Sequence, residues 1–146
     1  MKRSQAGFTL IESLLVLTIF LIISSITVFS IKPQSNRIED EVFISQLKAD
    51  LIYAQQYAIS HQHEVTVSFM ENEYNYYIFE SNDIPRLVER YYSRDIHVNP
   101  GTLPLYFRFL PDGNVSKFGS FTVVTKDKQF RITFLLGKGR FYVKEE

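Results

Sequence analysis

Residues 7–31 read GFTLIESLLVLTIFLIISSITVFSI, and this stretch decides how the chain begins. From Phe8 to Ile31 there is one charged residue, Glu12. As an α-helix this apolar run would be about 36 Å long, enough to cross a hydrocarbon core of about 30 Å. Lys2 and Arg3 precede it, and cations on that side predict a cytoplasmic start and an exported remainder. The sequence therefore predicts a single membrane-spanning helix over residues 8–31.

Two ordinary kinds of segment fit this stretch poorly. A secretory signal peptide has an apolar region of roughly 7–15 residues closed by a small-x-small cleavage site, and neither feature is present here. A generic membrane anchor leaves Glu12 unexplained, because a carboxylate inside a membrane helix costs a few kcal/mol unless it is paired. The glutamate therefore predicts a function and needs a partner.

A resemblance in the order of the residues indicates what that function is. Gly7-Phe8-Thr9-Leu10-Ile11-Glu12, after a short basic leader and before SLLVL, resembles the amino-terminal signal of type IV pilins and pseudopilins. The resemblance implies that a prepilin peptidase removes residues 1–7 by cutting between Gly7 and Phe8 and methylates the new terminus. Glu12 then matches the glutamate of that motif.

Cleavage would create the missing partner for Glu12. The new ammonium group on Phe8 would lie close to membrane depth, where a low dielectric strengthens its attraction to a carboxylate. Glu12 of one subunit could then neutralise the amine of a neighbour and set the axial register of assembly. Many major pilins carry a proline inside this helix; here the first proline is Pro33, past the apolar run.

Residues 32–60 predict an amphipathic continuation of the helix. The polar stretch 33–36 predicts a break, after which Asn36 would cap a resumed helix. One apolar stripe recurs at helical spacing, with polar residues expected opposite, and predicts a core face. Its members are Ile44, Leu47, Leu51, Ala54 and Ala58.

From Glu64 the apolar period changes from 3.6 to 2, which is typical of strands. Turn signals such as Pro111-Asp112-Gly113-Asn114 and Gly137-Lys138-Gly139 divide the remainder into about eight strands. The predicted fold class is α+β and pilin-like, with a long amino-terminal helix packed on antiparallel sheet. Residues 61–146 would form the extracytoplasmic β-rich domain.

Three further segments carry a resemblance to minor pseudopilins of the GspH/FimT type, and within that group to the competence pseudopilins of Gram-positive bacteria. They are LKADLIYAQQYAIS at 47–60, FRFLPDG at 107–113 and LGKGRFYV at 136–143. The resemblance implies a minor subunit of a pilus-like filament for DNA uptake, a single-pass protein of the cell membrane with its domain outside. Its partners would be the prepilin peptidase, a major pseudopilin and other minor pseudopilins. A type II secretion system or a type IV pilus tip remains open as an alternative.

Charge is distributed unevenly although its formal sum is zero. Residues 32–85 contain three basic and nine acidic side chains, and residues 86–146 contain eleven basic and six acidic ones. This asymmetry suits head-to-tail association or an anionic partner, but also an ordinary solvated surface. Cations beside aromatic residues near the last hairpins are candidate DNA contacts, unless the aromatics face the core and the cations face water. These cations are Lys126, Lys128, Arg131, Lys138 and Arg140.

Nothing in the sequence predicts catalysis. The chain has no cysteine, which excludes disulfides, thiolate metal sites and a cysteine nucleophile. His61 and His63 could share a strand face, but His97 is far along the chain and no third metal ligand lies at useful spacing. Phosphate-loop, nucleophile-elbow and metalloprotease motifs are absent. We therefore expect a structural subunit that needs no cofactor and no metal, and not an enzyme.

Overall fold

The first element is one continuous helix. The computed structural model describes residues 9–80, 85–135, 137 and 139–146, without the side chains of residues 26–38. Helix α1 spans Leu10–His61, 52 residues, and passes through positions 33–36 without interruption. The predicted break there is wrong. A proline removes only one N–H donor, and strongly helical sequence on both sides can propagate through that loss.

The chain divides into a first unit that ends at Glu39 and a second unit, Asp40–Glu146. In the first unit the described apolar side chains, such as Leu10, Phe20 and Ile23, are exposed. No helix among the described residues is both long enough and apolar enough to cross a membrane. The predicted span 8–31 begins outside the described residues, and its last six side chains are not described.

The described residues of the second unit form eight strands in two antiparallel sheets, as the sequence predicts. One sheet has the order β3-β2-β1-β5 and the other β4-β6-β7-β8. The strands are β1 Val65–Met70, β2 Asn75–Phe79, β3 Val88–Tyr91, β4 His97–Asn99, β5 Tyr106–Phe109, β6 Gly119–Val124, β7 Gln129–Phe134 and β8 Phe141–Glu145. A 3₁₀ turn, Glu71–Glu73, connects β1 to β2. The predicted α+β class, a long amino-terminal helix with antiparallel sheets, is therefore confirmed.

The carboxy-terminal half of α1 and the two sheets share one apolar core. Leu47, Leu51, Ala54 and Ala58 are buried on the helix, which confirms the predicted stripe. Aromatic rings from both sheets meet the same core, as where Phe69 lies 5.4 Å from Phe121 between ring centroids. Opposite this stripe the helix exposes polar Ser45, Gln56 and Ser60, as expected, together with apolar Val42 and Ile52.

A buried polar cluster ties α1 to the first sheet. The Asp50 side chain is only 7% exposed, and its Oδ2 accepts a hydrogen bond of 2.7 Å from the Tyr76 hydroxyl and one of 3.1 Å from Arg90 Nε. Gln46 donates to Asp50 Oδ1 at 2.8 Å. Burial, together with the bond to Asp50, raises the pKa of Tyr76. Because apolar contacts alone allow a helix to rotate or slide, this directional cluster fixes α1 against β2 and β3.

The second unit has two opposite ends, which we name after helix residues. At the Glu41 end, Lys128 Nζ lies 3.5 Å from Glu41 and 3.3 Å from Glu145. At the Ile59 end, Gln55 Nε2 donates to the carbonyl of Gly113 at 2.8 Å. The β6–β7 turn therefore lies at the Glu41 end, as does the β1–β2 turn, whose Tyr74 packs on Tyr92 and through it on Phe43 of the helix. The β5–β6 and β7–β8 turns lie at the Ile59 end.

Replacing Asp50 should destabilise the domain. Asp50→Ala leaves the Tyr76 hydroxyl and the Arg90 guanidinium without their shared acceptor, and we expect a loss of about 2–3 kcal/mol in the free energy of unfolding. The measurement is denaturant unfolding of the full chain in detergent, followed by tyrosine fluorescence. Asp95→Ala is the matched control, because Asp95 pairs with Lys126 at 2.7 Å on the surface and is about half exposed. It should cost less than about 1 kcal/mol. Equal losses in the two variants would contradict the role assigned to Asp50.

Candidate assembly surfaces

The first candidate surface is the start of α1, where Glu12 has a partner within its own chain. The helix begins at Leu10, so Thr9 is its N-cap and Glu12 is its third residue. Glu12 Oε2 accepts hydrogen bonds of 2.9 Å from both the backbone N–H and the hydroxyl of Thr9. The Thr9 hydroxyl oxygen in turn accepts the Glu12 N–H at 3.4 Å. This reciprocal arrangement is a capping box, which satisfies amide donors that the first turn of a helix leaves unpaired.

The capping box gives Glu12 a role that the sequence argument did not include. That argument treated the carboxylate as unpaired until a neighbour supplied an amine. The spacing Thr-x-x-Glu at 9–12 was visible in the sequence and is the signal that would have revealed the local partner. Gly7 and Phe8, which form the predicted cleavage site, lie outside the described residues. Cleavage there and the pairing of Glu12 with a neighbour therefore stay predictions.

The second candidate surface is the Ile59 end, where three separate sequence segments meet. Besides the bond from Gln55, a side chain at Gly113 would approach Ile59 Cδ1 to 2.9 Å, and Gly113 has a φ of +81°. A Cβ at Gly139 would collide with the Gly113 carbonyl and lie 2.5 Å from Gln55 Nε2. Two glycines at these positions therefore let the helix, the β5–β6 turn and the last hairpin pack in direct contact.

The turn at this end is closed by its own side chains. Asn114 donates from its backbone N–H to Asp112 Oδ1 at 2.9 Å and from its side chain to Oδ2 at 2.7 Å. These two bonds lower the pKa of Asp112. Because Asn114 bonds both oxygens of the carboxylate, Asp112 serves the turn locally, as the Pro-Asp-Gly-Asn sequence suggests.

The predicted group of DNA-contacting cations does not form one continuous basic patch in the described chain. Lys126 pairs with Asp95, Arg131 Nη2 lies 2.9 Å from Glu146, and Lys128 bridges two glutamates at the Glu41 end. The bond to Glu145 is the main cause of a raised pKa at Lys128. Arg140 is exposed at the Ile59 end, and Lys138 lies outside the described residues. Nearby carboxylates therefore offset three of the five charges.

The three histidines have different contacts. His61 stacks on Tyr57 with ring centroids 3.9 Å apart, and His63 Nδ1 contacts Glu80. His97 is an exposed residue of β4. Across the described ranges, no three of His, Cys, Asp and Glu are grouped so as to hold a metal ion.

Comparison with protein families identifies the architecture. Residues 2–28 match the prokaryotic N-terminal methylation motif. Residues 44–137, more than half of the chain, match the family described as type II transport protein GspH. The chain belongs to the GspH family. The signal at the start of the chain and the β-rich domain behind it are thus recognised independently.

Individual proteins similar to this GspH-family chain come from three bacteria. Competence protein ComGD of Bacillus subtilis (strain 168) is 30% identical over 144 residues, covering 99% of this chain and 96% of that protein. The type IV minor pilin FimU of Pseudomonas aeruginosa (strain PAO1) superimposes with a TM-score of 0.62 at 16% identity, over 75% of this chain and 91% of FimU. The minor pseudopilin EpsH from the type 2 secretion system of Vibrio cholerae gives 0.57 at 12% identity, over 73% and 96%.

These likenesses define the class of protein. The chain is a minor pseudopilin or pilin of a type IV pilus-like system, with the membrane anchor that the methylation motif implies. Such pilin-like proteins assemble with other pilins. The family and the fold are those of structural pilin subunits.

The close approach at the Ile59 end yields a test with an internal control. Gly139→Ala places a methyl group against the Gly113 carbonyl at a φ of +56°, whereas Gly137→Ala, at a φ of +90°, meets no atom within 4 Å. Both changes carry the cost of a positive φ, about 1 kcal/mol, and only the first adds a collision with backbone. We expect losses of about 2–4 kcal/mol for Gly139→Ala and about 1 kcal/mol for Gly137→Ala in denaturant unfolding. Equal losses would mean that the hairpin moves away at no cost.

Proposed function

We propose that this chain is a minor pseudopilin of a competence pilus, a filament used to take up DNA. The observation that carries the proposal is the 30% identity to Competence protein ComGD, which extends over 144 residues and nearly the whole of both proteins. It includes the amino-terminal signal and the β-rich domain together, so it is not limited to the methylation motif that pilin-like proteins share.

In this proposal the first part of α1 has two successive roles. Before assembly it anchors the subunit in the cell membrane, with the amino terminus in the cytoplasm and the β-rich domain outside. A prepilin peptidase cuts between Gly7 and Phe8, and the exposed apolar side chains of Leu10–Ile23 then pack among the helices of other pseudopilins. Helices leave lipid for such a bundle without exposing apolar surface to water.

Glu12 connects these two roles. In the single subunit its carboxylate is held by Thr9, which lowers the cost of keeping it at membrane depth. The amine created on Phe8 of a neighbour offers a charged donor, and in a low dielectric an ion pair is stronger than the bonds from the uncharged donors of Thr9. The ion pair with a neighbour forms only when the two subunits meet in the correct axial register. The exchange of partners therefore favours that register.

Glu12→Gln tests the charge of this side chain separately from its role in capping the helix. The amide oxygen of glutamine can still accept hydrogen bonds from Thr9, but it carries no charge for a neighbour's amine. We expect normal membrane insertion and normal cleavage, with the amount of the chain recovered in sheared filaments reduced by tenfold or more. Immunoblots of membrane and sheared fractions measure both quantities.

Ser13→Ala is the control, because the Ser13 hydroxyl carries no charge and bonds back to the Thr9 carbonyl at 3.5 Å. It should assemble like the parent chain. Normal recovery of Glu12→Gln in filaments would count against the pairing of Glu12 with an amine. If the chain has the same mass in cells with and without prepilin peptidase, that enzyme does not process it.

A type II secretion system is a second candidate for the machine to which this subunit belongs, and a specific observation favours it. The matching family is described as type II transport protein GspH. EpsH, a subunit of a type 2 secretion system, has the same fold. A deletion strain distinguishes the two proposals. We expect natural transformation to fall by several orders of magnitude while protein secretion is unchanged, and a plasmid copy of the gene to restore it. Loss of secretion with normal transformation would instead identify a secretion pseudopilin.

The DNA-uptake role does not require this domain to touch DNA. Of the five predicted contacts, Lys126, Lys128 and Arg131 are already paired with carboxylates, which weakens their attraction for phosphate. Direct DNA contact therefore stays a prediction from the sequence alone.

A further inference from the structure

A small pocket lies at the Glu41 end, between the β1–β2 turn and strand β4. It encloses about 40 Å³, and we call it the tyrosine pocket. Its lining includes Glu71, Tyr74, Tyr92, His97 and Asn99. Sites for small molecules usually enclose about 300–1,000 Å³, whereas a water-sized group needs about 10–15 Å³. The tyrosine pocket therefore has room for the end of one side chain and not for a larger ligand.

Two aromatic rings form walls of this pocket. The rings of Tyr74 and Tyr92 are set at 80° to each other, with their centroids 6.3 Å apart. Tyr92 also packs on Phe43 of α1, at 5.1 Å between ring centroids, which holds its ring against the helix. The face of an aromatic ring attracts a cation within about 6 Å of its centroid. A single cation in the angle between the two rings can lie within that range of both.

The backbone of Tyr74 is held in an unusual conformation. Its φ of 52° and ψ of 45° are left-handed, at the end of the 3₁₀ turn. A residue with a bulky side chain rarely adopts this conformation, because its Cβ then crowds the following carbonyl oxygen. Strained positions of this kind cluster at sites of function, where the surrounding structure holds them in place. Glycine or asparagine would form the same turn at lower cost, so a tyrosine here indicates that its ring is needed.

The pocket is electronegative. Glu71 has no ion-pair partner among the described residues, and the buried hydroxyl oxygen of Tyr92 has no hydrogen-bond partner there. Burial in the first place, and then the negative charge of Glu71, raises the pKa of Tyr92 to about 12. That charge therefore lies close enough to act on the Tyr92 hydroxyl group. Asn99 adds a side-chain carbonyl oxygen, which is a further acceptor. A cation suits this set of groups, and an anion does not.

The described part of the chain does not supply that cation. No lysine or arginine is among the residues that line the pocket. Lys126 and Lys128, at the same end of the domain, are paired with other carboxylates. Arg94 is exposed and lies outside the lining. The cation that fits this pocket therefore comes from another molecule.

We propose that the tyrosine pocket binds a lysine side chain of a neighbouring pilin subunit different from this chain. The ammonium group lies in the angle between Tyr74 and Tyr92 and pairs with the carboxylate of Glu71. Lysine suits the pocket better than arginine, because an ammonium is compact and a guanidinium is a wider planar group. The inference rests on the assembly of pilin-like proteins with one another, and it holds for a competence pilus and a secretion system alike.

A contact of this kind selects the neighbour. Charged groups across an interface contribute more to the choice and orientation of a partner than to affinity. The carboxylate of Glu71 also disfavours any neighbour that brings a carboxylate to the same place. The pocket therefore favours a subunit that presents a lysine, in one orientation.

Carbodiimide crosslinking tests the contact. The reagent joins a carboxylate and an amine into an amide when the two groups touch, and it takes up the water that is released. Sheared filaments and membranes from a strain that carries the tagged full-length chain are treated, and the linked residues are identified by mass spectrometry. We expect an amide between Glu71 and a lysine of another pilin subunit. Its absence from filaments that contain this chain would overturn the proposal.

Glu71→Gln and Glu73→Gln form a matched pair. Glu71→Gln removes the carboxylate from the pocket, and we expect the adduct to fall by tenfold or more. Glu73 belongs to the same turn but lies outside the lining, and its carboxylate accepts a hydrogen bond of 3.1 Å from the Tyr77 hydroxyl. Glu73→Gln should therefore leave the adduct unchanged. An adduct that depends on Glu73 and not on Glu71 would contradict the proposal.

Tyr74→Phe and Tyr74→Leu test the aromatic wall. Both variants keep a bulky side chain at the same strained position, but only phenylalanine keeps a ring face. We expect Tyr74→Phe to give as much adduct as the parent chain. Tyr74→Leu should give about threefold to fivefold less, the change expected when a cation–π contact at a partly exposed site is lost. Equal yields from the two variants, with equal midpoints of denaturant unfolding, would show that no cation rests on the ring.

Other occupants of the pocket give different results. A link from Glu71 to a second, differently tagged copy of this chain would contradict the proposal. A metal ion in the pocket would exclude the lysine. If calcium chloride removes the adduct and sodium chloride of equal ionic strength does not, the pocket is a metal site and the proposal is wrong.

The outcome is separable from that of the proposed function. A Glu71 adduct in cells whose transformation does not depend on this gene would refute the competence role and support the lysine contact. Loss of transformation on deletion, with no adduct at Glu71, would refute the lysine contact alone.

Discussion

The structure depends on one helix face that serves two sheets. Leu47, Leu51, Ala54 and Ala58 are fully or almost fully buried. The sheets meet the same core with bulky residues such as Phe107, Phe121 and Phe134. Short side chains on the helix and aromatic ones on the strands interdigitate, and burial of a Phe side chain contributes about 1.5–3 kcal/mol. Without the helix, both sheets would expose their apolar faces.

Polar contacts give this shared core a single arrangement. Asp50 orients α1 against the first sheet through Tyr76 and Arg90, and Gln55 fastens it to the β5–β6 turn. At the opposite end of the domain Lys128 joins the helix to the second sheet through Glu41. Hydrogen bonds are directional and apolar contacts are not, so these few groups determine where each end of the domain presents its surface. A subunit that must join a filament in one orientation requires surfaces whose positions are fixed in this way.

The pairing of charges changes the meaning of the basic carboxy-terminal half. In the sequence its cations stand together, near the last hairpins, and suggest a surface for DNA. In the fold several of them meet carboxylates from distant positions, as Lys126 meets Asp95 and Arg131 meets Glu146. The exposed Lys117 and Arg140 lie instead at the Ile59 end, near exposed apolar side chains. Charge counted along the chain thus predicts an imbalance but not its position on the surface.

The sequence by itself determined the class of the protein, because the deciding signals are local. A motif of six residues followed by an apolar run identifies the pilin-like start, and a change of period from 3.6 to 2 marks the passage from helix to the eight strands. Turn signals that include Gly113 and Gly139 divided the remainder into about eight strands, the number that the described residues form.

The tertiary structure decided what depends on contacts between distant residues. It showed that α1 continues through positions 33–36, since the helix on both sides outweighs one missing donor. It brought Gln55, Gly113 and Gly139 together across 84 positions of sequence, and it paired the cations. Such contacts have no period and no fixed spacing along the chain. The free energy that selects them comes from packing and charge pairing in three dimensions.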